Sequence, residues 1–148
     1  MTNGPFWEDV GEGEGLPVLE KKPTTQQLVM YAGASGDFYE IHYDKEFAIA
    51  NGLPNVILHG ALKNAFLGQL VTDWIGDGGT LKRLSVQYRG MDVPGDTLLC
   101  KGKITKKYTT EDGHYLVDCD IWLENGKGEK TTAGSATVTL PSRESAGC

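Results

Sequence analysis

Nowhere in these 148 residues do apolar side chains run for the roughly 18 positions that a membrane-spanning helix needs. The opening stretch, MTNGPFWEDVGEGEG, lacks both the basic start and the apolar centre of a signal peptide. Cysteine is scarce: Cys100, Cys119 and Cys148 are widely spaced, odd in number and form no C-x-x-C pair. That excludes a disulfide framework or a cysteine metal site and suits a reducing compartment, so the expected location is the cytoplasm. Basic runs are also missing, and the net charge is −6. A nucleic-acid partner needs clustered positive charge, so none is expected, and neither is a membrane partner.

There is no internal repeat, no low-complexity tract and no linker that would divide two domains. What is present fits one domain over residues 1–148: a chain of this length buries about two thirds of its unfolded surface, and 39% hydrophobic content is enough to fill a core. Residues 1–15 read as an irregular lead-in anchored by Phe6 and Trp7, and residues 141–148, with Cys148 last, as a flexible tail.

PVLEKK reads as a first strand. TTQQLVMYAGAS then begins a helix capped by Thr24 or Thr25 and loosened at Gly33. Residues 37–43 read as a loop, and Asp44 as the cap of a short helix, KEFAIANG, that Gly52 stops. From Ala61 to Ile75 the apolar residues Leu62, Ala65, Phe66, Leu70, Val71, Trp74 and Ile75 recur every three or four positions. This is the strongest helical signal in the chain and predicts a deeply buried helix over about 60–75. The remainder changes period, with four alternating or β-branched runs separated by MDVPGD, EDG and NGKGE. Asp112-Gly113 and Asn125-Gly126 are hairpin-turn signals. The fold class is therefore α+β, with an antiparallel five-stranded sheet wrapped around the long helix.

Only three histidines occur, and two lie close together in sequence. YAGASGDFYEIHYDKEFA (Tyr31–Ala48) places Asp37, His42 and Asp44 within eight positions, and His59-Gly60 follows at the predicted helix entrance. This segment resembles the MaoC-like, (R)-specific enoyl-CoA hydratase family, whose motif runs Y-A-x-x-S-G-D-x-N-P-I-H-x-D-x-x-F-A and is followed by H-G. The resemblance covers nearly the whole chain and implies a hot-dog fold. It implies Asp37 and His42 as the catalytic pair, adding water to or removing it from a 2-enoyl thioester, with Gly60 holding the substrate carbonyl. Tyr39 and Glu40 stand where the family has Asn-Pro, and Gly68 stands where it often has serine. Tyr39, Glu40, His59 and Asp44 are candidates for substrate contact or site support, Asp44 also as a helix cap and His59 as a fixer of the loop. His114 reads as a solvated strand residue.

Such chemistry needs a base for water, and a carboxylate beside an imidazole supplies one. It also needs donors for the developing oxyanion, which the unpaired N–H groups of a helix start provide. It requires no cofactor, coenzyme A being part of the substrate. Two histidines and two carboxylates could compose a metal set, but they lack the close helical pairing of an H-E-x-x-H site, so no metal is expected. The resemblance implies a homodimer or a heterodimer of hot-dog subunits acting on an acyl-CoA or an acyl carrier protein thioester. One alternative is a non-catalytic or half-catalytic subunit of a heteromeric dehydratase. An acyl-CoA thioesterase fits poorly, because thioesterases of this fold place a carboxylate on the central helix and Lys63–Thr72 contains none.

Overall fold

The three- and four-residue apolar spacing produces helix α3, Gly60–Ile75, whose buried face carries Leu62, Phe66, Leu67, Leu70, Val71 and Ile75. This computed structural model describes residues 3–144, and α3 is the element the rest is built around. Before it come strand β1 (Leu19–Lys21), helix α1 (Thr25–Ser35) and helix α2 (Lys45–Ala50). After it come β2 (Thr80–Tyr88), β3 (Leu98–Thr109), β4 (Tyr115–Glu124) and β5 (Lys130–Thr139). The strands form one sheet in the order β1-β3-β4-β5-β2, every neighbouring pair antiparallel. The α+β class and the five-stranded sheet around a central helix are as the sequence indicates.

Alternation along the strands sends Cys100, Ile104, Val117, Cys119, Ile121, Leu123, Ala136 and Val138 inward against α3. Removing a large aliphatic side chain from water contributes about 1.5–3 kcal/mol, so the face of α3 dominates the stability of this half. Burial also raises the Cys100 thiol to about 11 and the Cys119 thiol to about 12, which keeps both unreactive at neutral pH.

Local rules set the connections. Thr24 caps α1 by accepting from the Gln27 N–H. Gly33 does not loosen this helix; it continues to Ser35 and ends at Gly36, whose φ of 78° is left-handed. The expected loop 37–43 holds a single 3-10 turn, Glu40–His42. Asp44 caps α2 by accepting from the Phe47 N–H at 3.1 Å. The turn at Asn125-Gly126 is longer than a two-residue hairpin. It closes with Gly128 N–H donating to the Asn125 carbonyl, and Gly128 is the residue with positive φ. Gly126 instead leaves room for Asp96, whose carboxylate accepts its N–H at 3.1 Å.

The lead-in is held as its aromatics suggest. Trp7 Nε1 donates to the Leu116 carbonyl at 3.0 Å, and the Arg143 guanidinium covers Phe6. Of the tail 141–148, residues 141–144 lie against this lead-in. Trp7 N–H donates to the Pro141 carbonyl, Ser142 bonds Glu8, and Arg143 pairs with Asp9 at 2.8 Å. Residues 145–148, Cys148 among them, lie outside the described residues.

Candidate active site

The left-handed Gly36 turns the chain so that Asp37 follows α1 directly and meets the 3-10 turn carrying His42. The His42 Nδ1 lies 2.8 Å from the Ile57 carbonyl oxygen. A carbonyl only accepts, so Nδ1 carries the hydrogen and the lone pair of neutral His42 is on Nε2. That Nε2 lies 3.8 Å from Asp37 Oδ2. The separation exceeds a direct hydrogen bond, and a lone pair facing a carboxylate attracts only through a shared proton or an intervening water. The His42 side chain is 8% exposed and that of Asp37 49%, so the imidazole is sheltered while the carboxylate faces out.

His59 completes the cluster. Its Nε2 lies 3.2 Å from the Asp37 backbone carbonyl, which assigns the hydrogen there. Its Nδ1 is buried without a partner among the described residues. The His42 and His59 rings stack at 3.8 Å with 21° between their planes, and Tyr31 meets His59 edge-on at 4.8 Å. Burial, then the neighbouring His42, lowers the His59 pKa, so His59 stays neutral. Its observed contact is the one that fixes the Asp37 loop.

The entrance of α3 presents free donors. The Leu62 and Lys63 N–H groups bond the His59 carbonyl, whereas those of Gly60 and Ala61 have no acceptor among the described residues. Gly60 is required for a reason the sequence does not show: a Cβ there would lie 2.9 Å from Cζ of Tyr88, whose ring rests on this glycine. Tyr39 is exposed, with its ring 6.3 Å from His42 and 6.0 Å from Phe47. The Glu40 side chain is exposed next to it. Asp44 caps α2, and among the described residues no hydrogen bond or ion pair joins its side chain to Asp37 or His42. At Gly68 a side chain has room, a Cβ meeting only Leu84 at 3.8 Å. His114 is exposed beside Asp112.

Two features escaped the sequence reading. Tyr88, at the end of β2, covers Gly60. Lys63 and Asp92 form a buried ion pair at 3.1 Å, exposed by 3% and 1%. A lysine three and four positions before Phe66 and Leu67 stands inside the apolar stripe of α3, and that was the available signal.

Asp37, His42 and His59 each offer one ligand atom, all within 4.8 Å of one another. Stacked rings keep their in-plane lone pairs in nearly parallel planes, which do not converge on one ion, and His59 spends Nε2 on a carbonyl. The set suits proton handling better than metal binding.

The chain has relatives of known description. The chain is 27% identical over 133 residues to the 3-oxo-4,17-pregnadiene-20-carboxyl-CoA hydratase beta subunit of Mycobacterium tuberculosis, covering 90% of this chain and 97% of that one. It is 25% identical over 144 residues to the (R)-specific enoyl-CoA hydratase of Rhodospirillum rubrum, covering 93% of each. Fungal fatty acid synthase beta subunits also match, but the chain spans at most 7% of their length. A solved MaoC-like dehydratase from Rhodospirillum rubrum superposes with a TM-score of 0.84 at 19% identity, over 95% of this chain and 99% of that one, which shows the same hot-dog fold. The MaoC-like domain model matches residues 12–117, and with the curled sheet around α3 this places the chain in the MaoC-like domain family.

Proposed function

We propose that this protein is a hydro-lyase that adds water across a trans-2-enoyl thioester, or removes it from the (R)-3-hydroxyacyl thioester. The observation that carries this reading is the Asp37–His42 pair, with the His42 lone pair turned toward the carboxylate; His59, stacked on His42, leads directly into the helix start where the Gly60 and Ala61 N–H groups have no acceptor among the described residues.

A water held between Asp37 Oδ2 and His42 Nε2 gives one proton to this pair as its oxygen bonds to C3. The C2–C3 π electrons move toward the thioester, whose carbonyl oxygen accepts from the Gly60 N–H. C2 then takes a proton from the pair, and the enolate returns to the thioester. Positioned acid–base groups contribute about 10²–10⁴-fold, and one oxyanion donor about 10²–10³-fold. Neither a metal nor a redox cofactor takes part; coenzyme A or an acyl carrier protein carries the acyl group. One edge of β2 has no partner strand among the described residues. A second hot-dog subunit, identical or related, fits there, since an open edge of this length invites pairing. The compartment we assign is the cytoplasm.

A second reading has support of its own. Asp37 is half exposed and flanked by Tyr39 and Glu40, so a partner chain could complete the site, making this a subunit of a heteromeric dehydratase. The test is ultraviolet loss of the conjugated enoyl-CoA with short, medium and bulky acyl groups. Turnover by the purified chain, abolished in Asp37→Asn and His42→Ala, supports the hydratase. Silence from a folded protein with every substrate removes the stand-alone enzyme and leaves the subunit reading.

A further inference from the structure

The Lys63–Asp92 pair lies one helical turn beyond the proposed carbonyl site. Lys63 Nζ donates to the Gly90 carbonyl at 2.8 Å and to Asp92 Oδ2 at 3.1 Å. The same Asp92 oxygen accepts from the Thr131 hydroxyl at 2.6 Å, and the Asp92 carbonyl accepts from the Leu58 N–H at 2.9 Å. Arg89 and Gly90 donate their N–H groups to the Thr131 carbonyl. Residues 89–92 are thereby fastened to β5, to the segment entering α3 and to the first turn of α3 itself. Removing two charges from water is costly, and an apolar pair of similar volume serves stability as well or better. The pair therefore has to be explained by what it aligns.

What it aligns is Tyr88, the residue before this loop. Among the described residues nothing bonds its hydroxyl, and the residue is 52% exposed, so the ring is not held by its own polar end. It is held by contact with Gly60 and by the Lys63 ammonium, 5.7 Å from the ring centroid. We propose that Lys63 is a positioning residue: paired with Asp92, it fixes the Tyr88 ring over Gly60 and so sets the width of the slot through which a carbonyl reaches the Gly60 N–H. The inference rests on the carbonyl site proposed above and adds a residue that acts on it from inside the fold.

The test uses the double variant Lys63→Met/Asp92→Leu, because the single changes strand a buried charge. Two readouts are taken on the folded protein: the ring-current displacement of the Gly60 α-proton resonances, and kcat and KM for a short trans-2-enoyl-CoA. The expected result is that the double variant and Tyr88→Leu both move the Gly60 resonances toward ordinary values. Both also lower kcat about 10–100-fold, the scale of a small misplacement near the chemistry, with KM changed by less than about threefold. Tyr88→Phe keeps the Gly60 displacement. Unmoved Gly60 resonances in the double variant overturn the clasp, whatever the activity. Moved resonances with kcat unchanged overturn the positioning role. An inactive wild-type chain whose resonances still respond keeps the clasp and overturns the stand-alone hydratase reading on which the slot's occupant rests.

Discussion

The entrance of α3 is flanked by two buried polar groups of opposite kind. On one side of Gly60 in the chain, His59 stacks on His42; both are tied to backbone carbonyls, and the cluster opens to solvent at Asp37. On the other side, Lys63 and Asp92 form a closed ion pair with several bonds to backbone and hydroxyl groups. In the first group His42 Nε2 faces the Asp37 carboxylate across 3.8 Å, a gap that a bridging water can fill. In the second the two side chains meet directly at 3.1 Å and are further bonded to the Gly90 carbonyl and the Thr131 hydroxyl, out of reach of solvent. The difference separates two tasks: a cluster open at one side suits exchange with water and substrate, and a closed, multiply bonded pair suits alignment.

The largest effect expected is on the open side. Asp37→Asn and His42→Ala should each reduce hydration of an enoyl-CoA about 10²–10⁴-fold, measured on protein that still unfolds cooperatively. A loss below tenfold in either would end the contrast, since the pair would then not be the proton-handling side. Next is the closed side. Asp92→Ala leaves the Lys63 ammonium buried alone and should cost about 3–5 kcal/mol in urea unfolding, most of it recovered when Lys63→Met is added. Gly60→Ala brings a methyl against the Tyr88 ring and should cost about 1–3 kcal/mol. A double-mutant cycle with Tyr88→Ala would show the two changes to be coupled.

The smallest effect is a pH dependence. Burial disfavours the His59 cation in the folded chain, so its folded pKa lies below the unfolded value of about 6.5. The unfolded state then binds more protons, and stability present above about pH 6.5 is lost as the pH falls through the lower folded pKa. Denaturant midpoints from pH 8 to pH 5 should show this decline, and His59→Gln should flatten it.

Most of the fold was legible because its signals are local. The spacing of Leu62, Phe66, Leu70 and Ile75 gives α3, alternation gives the four late strands, and Asp44 caps α2 as its position before Lys45 suggests. Asp37, His42 and His59 were legible as a group through their spacing and motif. Lys63–Asp92 was not, because its partners are 29 residues apart and no local rule joins them. Nor was Tyr88, which reaches Gly60 only because β2 ends there. Gly33 misled the reading of α1 because a glycine inside a helix costs only about 1 kcal/mol, which the packing of Leu28 and Ala32 outweighs. The reason Gly60 must be glycine came from the far side of the contact: a ring seated on its Cα.

The sheet order carries a consequence for synthesis. β2 follows α3 directly, yet its strand partner is β5, Thr80 lying opposite Thr139. As the chain emerges from the ribosome, β2 must wait for some fifty further residues before its partner strand exists, which at about 5–20 residues per second is several seconds. During that interval β2 presents unpaired backbone groups along both edges, a natural target for a holding chaperone. Stalling translation just before β5 should trap that state, and releasing it should close the sheet in one step.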